Sequence, residues 1–93
     1  MLINNMTKKI SQKILKYTAI FEPAQEGGYV VTVPTLPGCT TQGETFEEAV
    51  GMIKDAIRGY LTVLKDEEQE IPQEIEDVVV TKISVPMAVS SQI

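Results

Sequence analysis

Cys39 is the one side chain of this 93-residue sequence with the intrinsic nucleophilicity for covalent chemistry near neutral pH, and nothing beside it supplies a base. The chain contains no histidine, so the commonest general base and the commonest metal-ligating nitrogen are both missing. Triads and zinc sites built on histidine are excluded. Cys39 follows the tight Leu36-Pro37-Gly38 turn among small residues, where a thiol reads as a small hydrophobe packed under a helix. Acidic side chains are the other route to chemistry, and Glu22, Glu48 and Asp55 are the nearest candidates. Each has a plainer role: Glu22 as a solvated strand end, Glu48 in a helix cap, Asp55 paired with Arg58 one turn on. Gly27-Gly28 is followed by neither a helix nor a lysine, so it reads as a hairpin loop and not a phosphate cradle. The sequence therefore assigns no catalytic, cofactor-binding or metal-ligating residue.

The elements that position these residues can be read from periodicity. Leu15, Tyr17, Ala19 and Phe21 alternate with Lys16, Thr18 and Glu22, the pattern of a half-buried strand stopped by Pro23. Tyr29, Val31 and Val33 resume the alternation beyond the paired glycines, which predicts an antiparallel hairpin. Pro34 and Pro37-Gly38 bracket a second reversal, and Cys39 to Gln42 predicts a third strand that Gly43 ends. Thr45 and Glu48 have the spacing of a capping box, with the threonine hydroxyl accepting from an unpaired amide and the glutamate reaching back. The helix it opens is expected over about Phe46 to Lys65, with Ala49, Val50, Ile53, Ala56, Ile57, Tyr60, Leu61 and Leu64 forming one apolar stripe. Asp66-Glu67-Glu68-Gln69-Glu70 is an acidic connector, Pro72 forbids continuation, and Val78 to Val85 predicts a fourth strand stopped by Pro86. Residues 1–14 form an extension, either a short amphipathic helix or a frayed terminus, residues 15–86 the domain, and residues 87–93 a tail.

A chain of this length makes one domain, near the size at which oligomerisation assists a small core. Its composition, 43% hydrophobic and 23% charged, is that of a folded globular protein. No apolar run approaches the roughly 18 residues of a membrane span and no signal pattern opens the chain, which together with one lone cysteine predicts a cytoplasmic protein. The net charge of −5 conceals an asymmetry: residues 1–20 carry four lysines and no acid, whereas from Phe21 onward 13 acids face Lys54, Arg58, Lys65 and Lys82, a net −9. Such a body repels phosphate backbones and attracts basic partners, or serves solubility alone. Four lysines without arginine or interleaved aromatics make a weak nucleic-acid footprint, so the isolated chain is not expected to bind DNA or RNA specifically.

The order Gly27-Gly28-Tyr29, strand, Leu36-Pro37-Gly38-Cys39, Thr41-Gln42-Gly43-Glu44-Thr45 and Glu47-Glu48-Ala49 resembles the HicB-like antitoxin family, the inhibitory half of bacterial toxin–antitoxin pairs. The likeness runs from about Tyr17 to Pro72. It implies an α+β, two-layer fold of three antiparallel meander strands, one long helix and a fourth strand (β-β-β-α-β), a truncated ribonuclease-H-like arrangement. It further implies a noncatalytic protein that neutralises a small basic HicA-like mRNA interferase with a double-stranded-RNA-binding-like fold, covering its catalytic histidine. Many such antitoxins carry a C-terminal DNA-binding segment, for which the residues after Val85 leave no room. Alternatives are an orphan homo-oligomeric binding module and, further off, a metal-dependent nuclease of degenerate ribonuclease-H-like fold.

No matched motif marks the working surface. Charge and exposure nominate the helix face with Asp55 and Arg58, the connector acids Asp66, Glu67, Glu68 and Glu70, and the turn carrying Leu36. Gly51 and Gly59 cost helix stability, up to about 1 kcal/mol each against alanine. They are either drift at tolerant positions or, with Met52 near Gly59, a flat strip that another backbone approaches. The open edges of a small sheet predict a homo-oligomer, dimer or higher.

Overall fold

A computed structural model describes residues 13–75 and 78–90. Three short strands, β1 (Ile20–Pro23), β2 (Tyr29–Thr32) and β3 (Thr40–Gly43), precede a 21-residue helix, α1 (Phe46–Asp66). The sheet is an antiparallel meander in the order β1-β2-β3, with Phe21 opposite Val31 and Val31 opposite Thr41. The α+β class and the strand-strand-strand-helix order are those expected. The amphipathic or frayed extension expected over residues 1–14 lies, apart from Lys13 and Ile14, outside the described residues.

Turn chemistry sets the register. Gly27 and Gly28 hold φ of +104° and +77°, a region closed to most side chains, and close the β1–β2 loop through Gly27 N–H to Ala24 O at 3.0 Å. In the β2–β3 connection, Leu36 N–H donates to Val33 O and Cys39 N–H to Leu36 O, two consecutive turns. Gly38, with φ +85° after Pro37, takes the position of a type II turn that requires positive φ. This folding-over drives Val33, Leu36 and Cys39 into the core beside Val31, Ala49 and Ile53. Each large aliphatic side chain so buried contributes roughly 1.5–3 kcal/mol.

α1 lies across β3 and β2 and not across β1. Its start is capped as the spacing predicts on one side: Thr45 Oγ1 accepts from Glu48 N–H at 3.0 Å. On the other side Glu48 reaches one residue further than a capping box requires, accepting from Glu44 N–H. The helix ends one residue later than expected. Glu68 N–H donates to Lys65 O and Gln69 N–H to Leu64 O, the paired bonds of a Schellman motif, with Glu68 at φ +57° where glycine is usual.

Two expectations are corrected in extent. Regular pairing begins at Ile20 and not at Leu15, although Leu15, Tyr17 and Ala19 keep the half-buried alternation of the predicted strand. No fourth strand forms over Val78 to Val85: these residues are unpaired and exposed. A strand requires a neighbouring edge as well as a suitable sequence, and the chain carries Val78 onward away from its own sheet.

Candidate functional site

The outer face of α1 is a continuous surface that the core does not use. Glu48, Gly51, Met52, Asp55, Gly59, Thr62 and Asp66 recur at spacings of three and four, fall on one stripe, and are all exposed. At 1.5 Å per residue the stripe runs about 27 Å. Its counterpart, Ala49, Ile53, Ala56, Ile57, Tyr60 and Leu61, packs on the core. Arg58 Nη1 donates to Asp55 Oδ1 at 2.9 Å across one turn, the pairing expected from sequence, and both side chains stay largely in solvent. Such a pair adds little stability and leaves its charges available. A Cβ built on Gly51 or Gly59 meets nothing within 4 Å, so no contact inside the chain requires either glycine. Beyond the stripe's last residue, Asp66, the exposed Glu67, Glu68 and Glu70 carry an acidic surface past the helix end.

Leu36 departs from this set. Its side chain is fully buried, because the double turn folds it under α1, and Tyr60 Oη donates to Pro37 O at 2.8 Å to hold the turn against the helix. The turn's apolar residue belongs to the core and not to a contact surface.

At the other end of the stripe the structure brings together what the sequence keeps apart. Gly28, Tyr29, Gln42, Gly43, Glu44, Glu48 and Met52 line an open groove of about 670 Å³, with Glu26 on its rim. Two backbone contacts build it. A Cβ on Gly28 would collide with Gly43 O, and one on Gly43 would stand 2.5 Å from Ala49 N, so the hairpin, β3 and the helix start meet backbone to backbone. Phe21, Tyr29 and Phe46 stack beside this junction, with Phe21 and Phe46 centroids 4.7 Å apart.

Candidate chemistry can now be placed. Cys39 is buried and burial pushes its thiol pKa up, which disfavours the nucleophilic thiolate. Glu48 is engaged at the helix start and Asp55 with Arg58, while Glu22 sits exposed on β1. Among the described residues no three histidine, cysteine, aspartate or glutamate side chains gather as metal ligands.

The most heavily bonded carboxylate is one that sequence reasoning missed. Glu74 accepts from Thr18 N–H and Thr18 Oγ1, both at 2.7 Å, and from Thr35 Oγ1 at 2.9 Å. The Thr18 bonds, backbone first, hold its carboxyl below the usual carboxylate range, with Thr35 adding to them against a smaller desolvation cost. Tyr17 Oη donates to Pro72 O, and burial, then the Glu74 charge, pushes that phenol up. Together these contacts dock the segment after α1 onto the lead-in to β1. Partners 56 residues apart leave no local signal in the sequence.

Fold and surface define a small α+β domain with an exposed helix stripe that runs into an acidic connector. The family model described as the HicB-like antitoxin of bacterial toxin–antitoxin systems matches residues 17–89, and the chain belongs to that family. It is 50% identical over 60 residues to a UPF0150 protein of Thermoplasma acidophilum, covering 64% of this chain and 87% of the relative. A UPF0150 protein of Synechocystis is 40% identical over 74 residues, 80% of this chain and 91% of the relative. The antitoxin HicB 1 of Photorhabdus laumondii is 35% identical over 81 residues, 87% of this chain but 52% of that protein, so the chain spans about half its length. Among the described residues no helix is long and apolar enough to cross a membrane.

Proposed function

We infer that this chain is a noncatalytic antitoxin that binds and neutralises a small basic HicA-like mRNA interferase, acting in the cytoplasm where messenger RNA is found. The observation that carries the reading is the exposed stripe from Glu48 to Asp66, continued by Glu67, Glu68 and Glu70. An RNA-cleaving protein needs a basic face for its substrate, and an acidic ridge of this length covers such a face while competing with RNA for it. Membership of an antitoxin family supports a toxin as the partner. Complementary charge speeds the encounter, and Met52 between Gly51 and Asp55 supplies an adaptable apolar contact where Gly51 and Gly59 leave room for a partner's backbone. The ribonuclease-H-like reading of the fold is part of the same proposal and requires a further strand beside β1.

Co-expression with a basic toxin encoded next to it tests the reading. Growth should be rescued by this chain, and the charge-reversed variant Asp55→Lys with Asp66→Lys should slow association by an order of magnitude or more at low salt, with the difference shrinking at high salt. Growth arrest unaffected by the chain, or association rates unchanged by charge reversal, overturns it. An orphan module would give the first result.

A further inference from the structure

We propose that the segment Val78–Val85 is an exchanged strand: in a dimer of this chain it adds to the β1 edge of the second copy, and the second copy's segment adds to this one. Val79, Thr81, Ile83 and Val85 form one face of the segment and Val80, Lys82 and Ser84 the other, the alternation of a strand with one face buried. Among the described residues of the single chain nothing covers that face: Val79, Ile83 and Val85 are 82%, 77% and 75% exposed. So many β-branched side chains left in water lack the surface they were patterned for.

The missing surface is present on β1. This strand is an edge of the sheet, with β2 on one side and, among the described residues, no strand on the other. α1 sits over β3 and β2, so the layer beside β1 is incomplete on the helix side, where Phe21 and Ala19 are half-buried. On the opposite face Ile20 is 44% exposed, next to Glu22. A strand added to this edge with Ile83 and Val85 on the helix side extends the core, and its other face then meets Ile20 and Glu22. Running parallel to β1 in the register that puts Val80 beside Ile20, the added strand brings Lys82 beside Glu22, an apolar pair and an ion pair in sequence. The β3 edge offers no such match: Thr40 and Gln42 are its exposed open-face residues, and its end abuts the helix start through Gly43.

The exposure of the chain beyond its docked connector favours exchange over folding back. Glu74 occupies Thr18 N–H, an amide of the lead-in to the chain's own β1, and Pro72 is tied to Tyr17, yet from Val78 the chain stands exposed away from that edge. Two copies resolve both open edges at once by a twofold exchange, in which each residue pair occurs twice. The inference does not depend on the toxin reading.

Sedimentation of the full chain across concentrations, joined to isotope-filtered NOE measurements on a mixture of differently labelled chains, tests it. A dimer is expected, with contacts between residues 79–85 of one chain and 20–23 of the other. Ile83→Asp with Val85→Asp should raise the dimer Kd more than a hundredfold with unchanged helical circular dichroism, since neither side chain packs on the core. Glu22→Lys or Lys82→Glu alone should weaken it about three- to tenfold, and the two together should recover it. A monomer at tens of micromolar, a dimer that survives the double aspartate variant, arm contacts found only within one chain, or no recovery in the charge-swapped pair overturns the proposal.

Discussion

Tyr29-Val30-Val31-Thr32-Val33 and Val78-Val79-Val80-Thr81-Lys82 are close to the same string, yet the chain treats them in opposite ways. In the first, Val31 and Val33 are completely buried, with strands on both sides and a helix above. In the second, Val79 and Val80 are 82% and 72% exposed and pair with no strand among the described residues. The β propensity is equivalent, so what separates them is the supply of neighbours. Val31 has β1 and β3 delivered to it by two short glycine-containing turns, whereas Val79 follows a helix and a connector docked on the lead-in to β1, beyond which the segment stays exposed. Strand propensity describes fitness for a pleated, half-covered surface and cannot provide that surface.

The sharpest way to break this contrast is to remove the same bulk from each region. Leu36→Ala should lose about 2–5 kcal/mol in urea unfolding, as a fully buried leucine does. Ile83→Ala, measured at chain concentrations too dilute for dimers, should stay within about 0.5 kcal/mol. Equal losses would show that the arm is packed within its own chain.

A second test sets two glycines against each other. Gly43→Ala places a methyl group against the Ala49 backbone, which side-chain rotation cannot relieve, and should cost about 1–3 kcal/mol or more. Gly59→Ala, on the open stripe, should gain up to about 1 kcal/mol. If the stripe is the toxin contact, the same Gly59→Ala change weakens the complex while stabilising the free chain, a split that calorimetry and thermal melts separate.

Smaller again is the acid response of the Glu74 dock. Because the folded state lowers this pKa, its contribution is fully present above the unfolded value near 4.5 and is lost as pH falls through the folded value. Unfolding free energy should therefore decline more steeply below about pH 4.5 in the parent than in Glu74→Gln, which starts lower and lacks that component of the slope. Parallel curves would show that Thr18 and Thr35 do not stabilise the charged form. The least effect is expected at the helix end, where Glu68→Gly relieves a left-handed non-glycine residue and should raise stability by about 0.5–1 kcal/mol in thermal melts.

The sequence alone determined the local grammar. The paired glycines, Pro37-Gly38, the Thr45 cap, the apolar stripe and the Asp55–Arg58 pair are all visible at separations of a few residues, and their geometry follows from backbone sterics and helical period. Even the exposed stripe was partly legible, since Met52, Asp55, Arg58 and Gly59 are what an apolar helix pattern leaves over. Tertiary structure decided everything that depends on residues meeting at long range. It turned Leu36 from a surface turn residue into core, made Gly43 a contact with the helix start, and gave Glu74 three donors from Thr18 and Thr35. It also left Val78–Val85, a strand by every local criterion, unpaired among the described residues. A short sequence encodes turns, caps and periods in neighbouring residues, whereas burial and strand pairing belong to surfaces that exist only once distant segments are assembled.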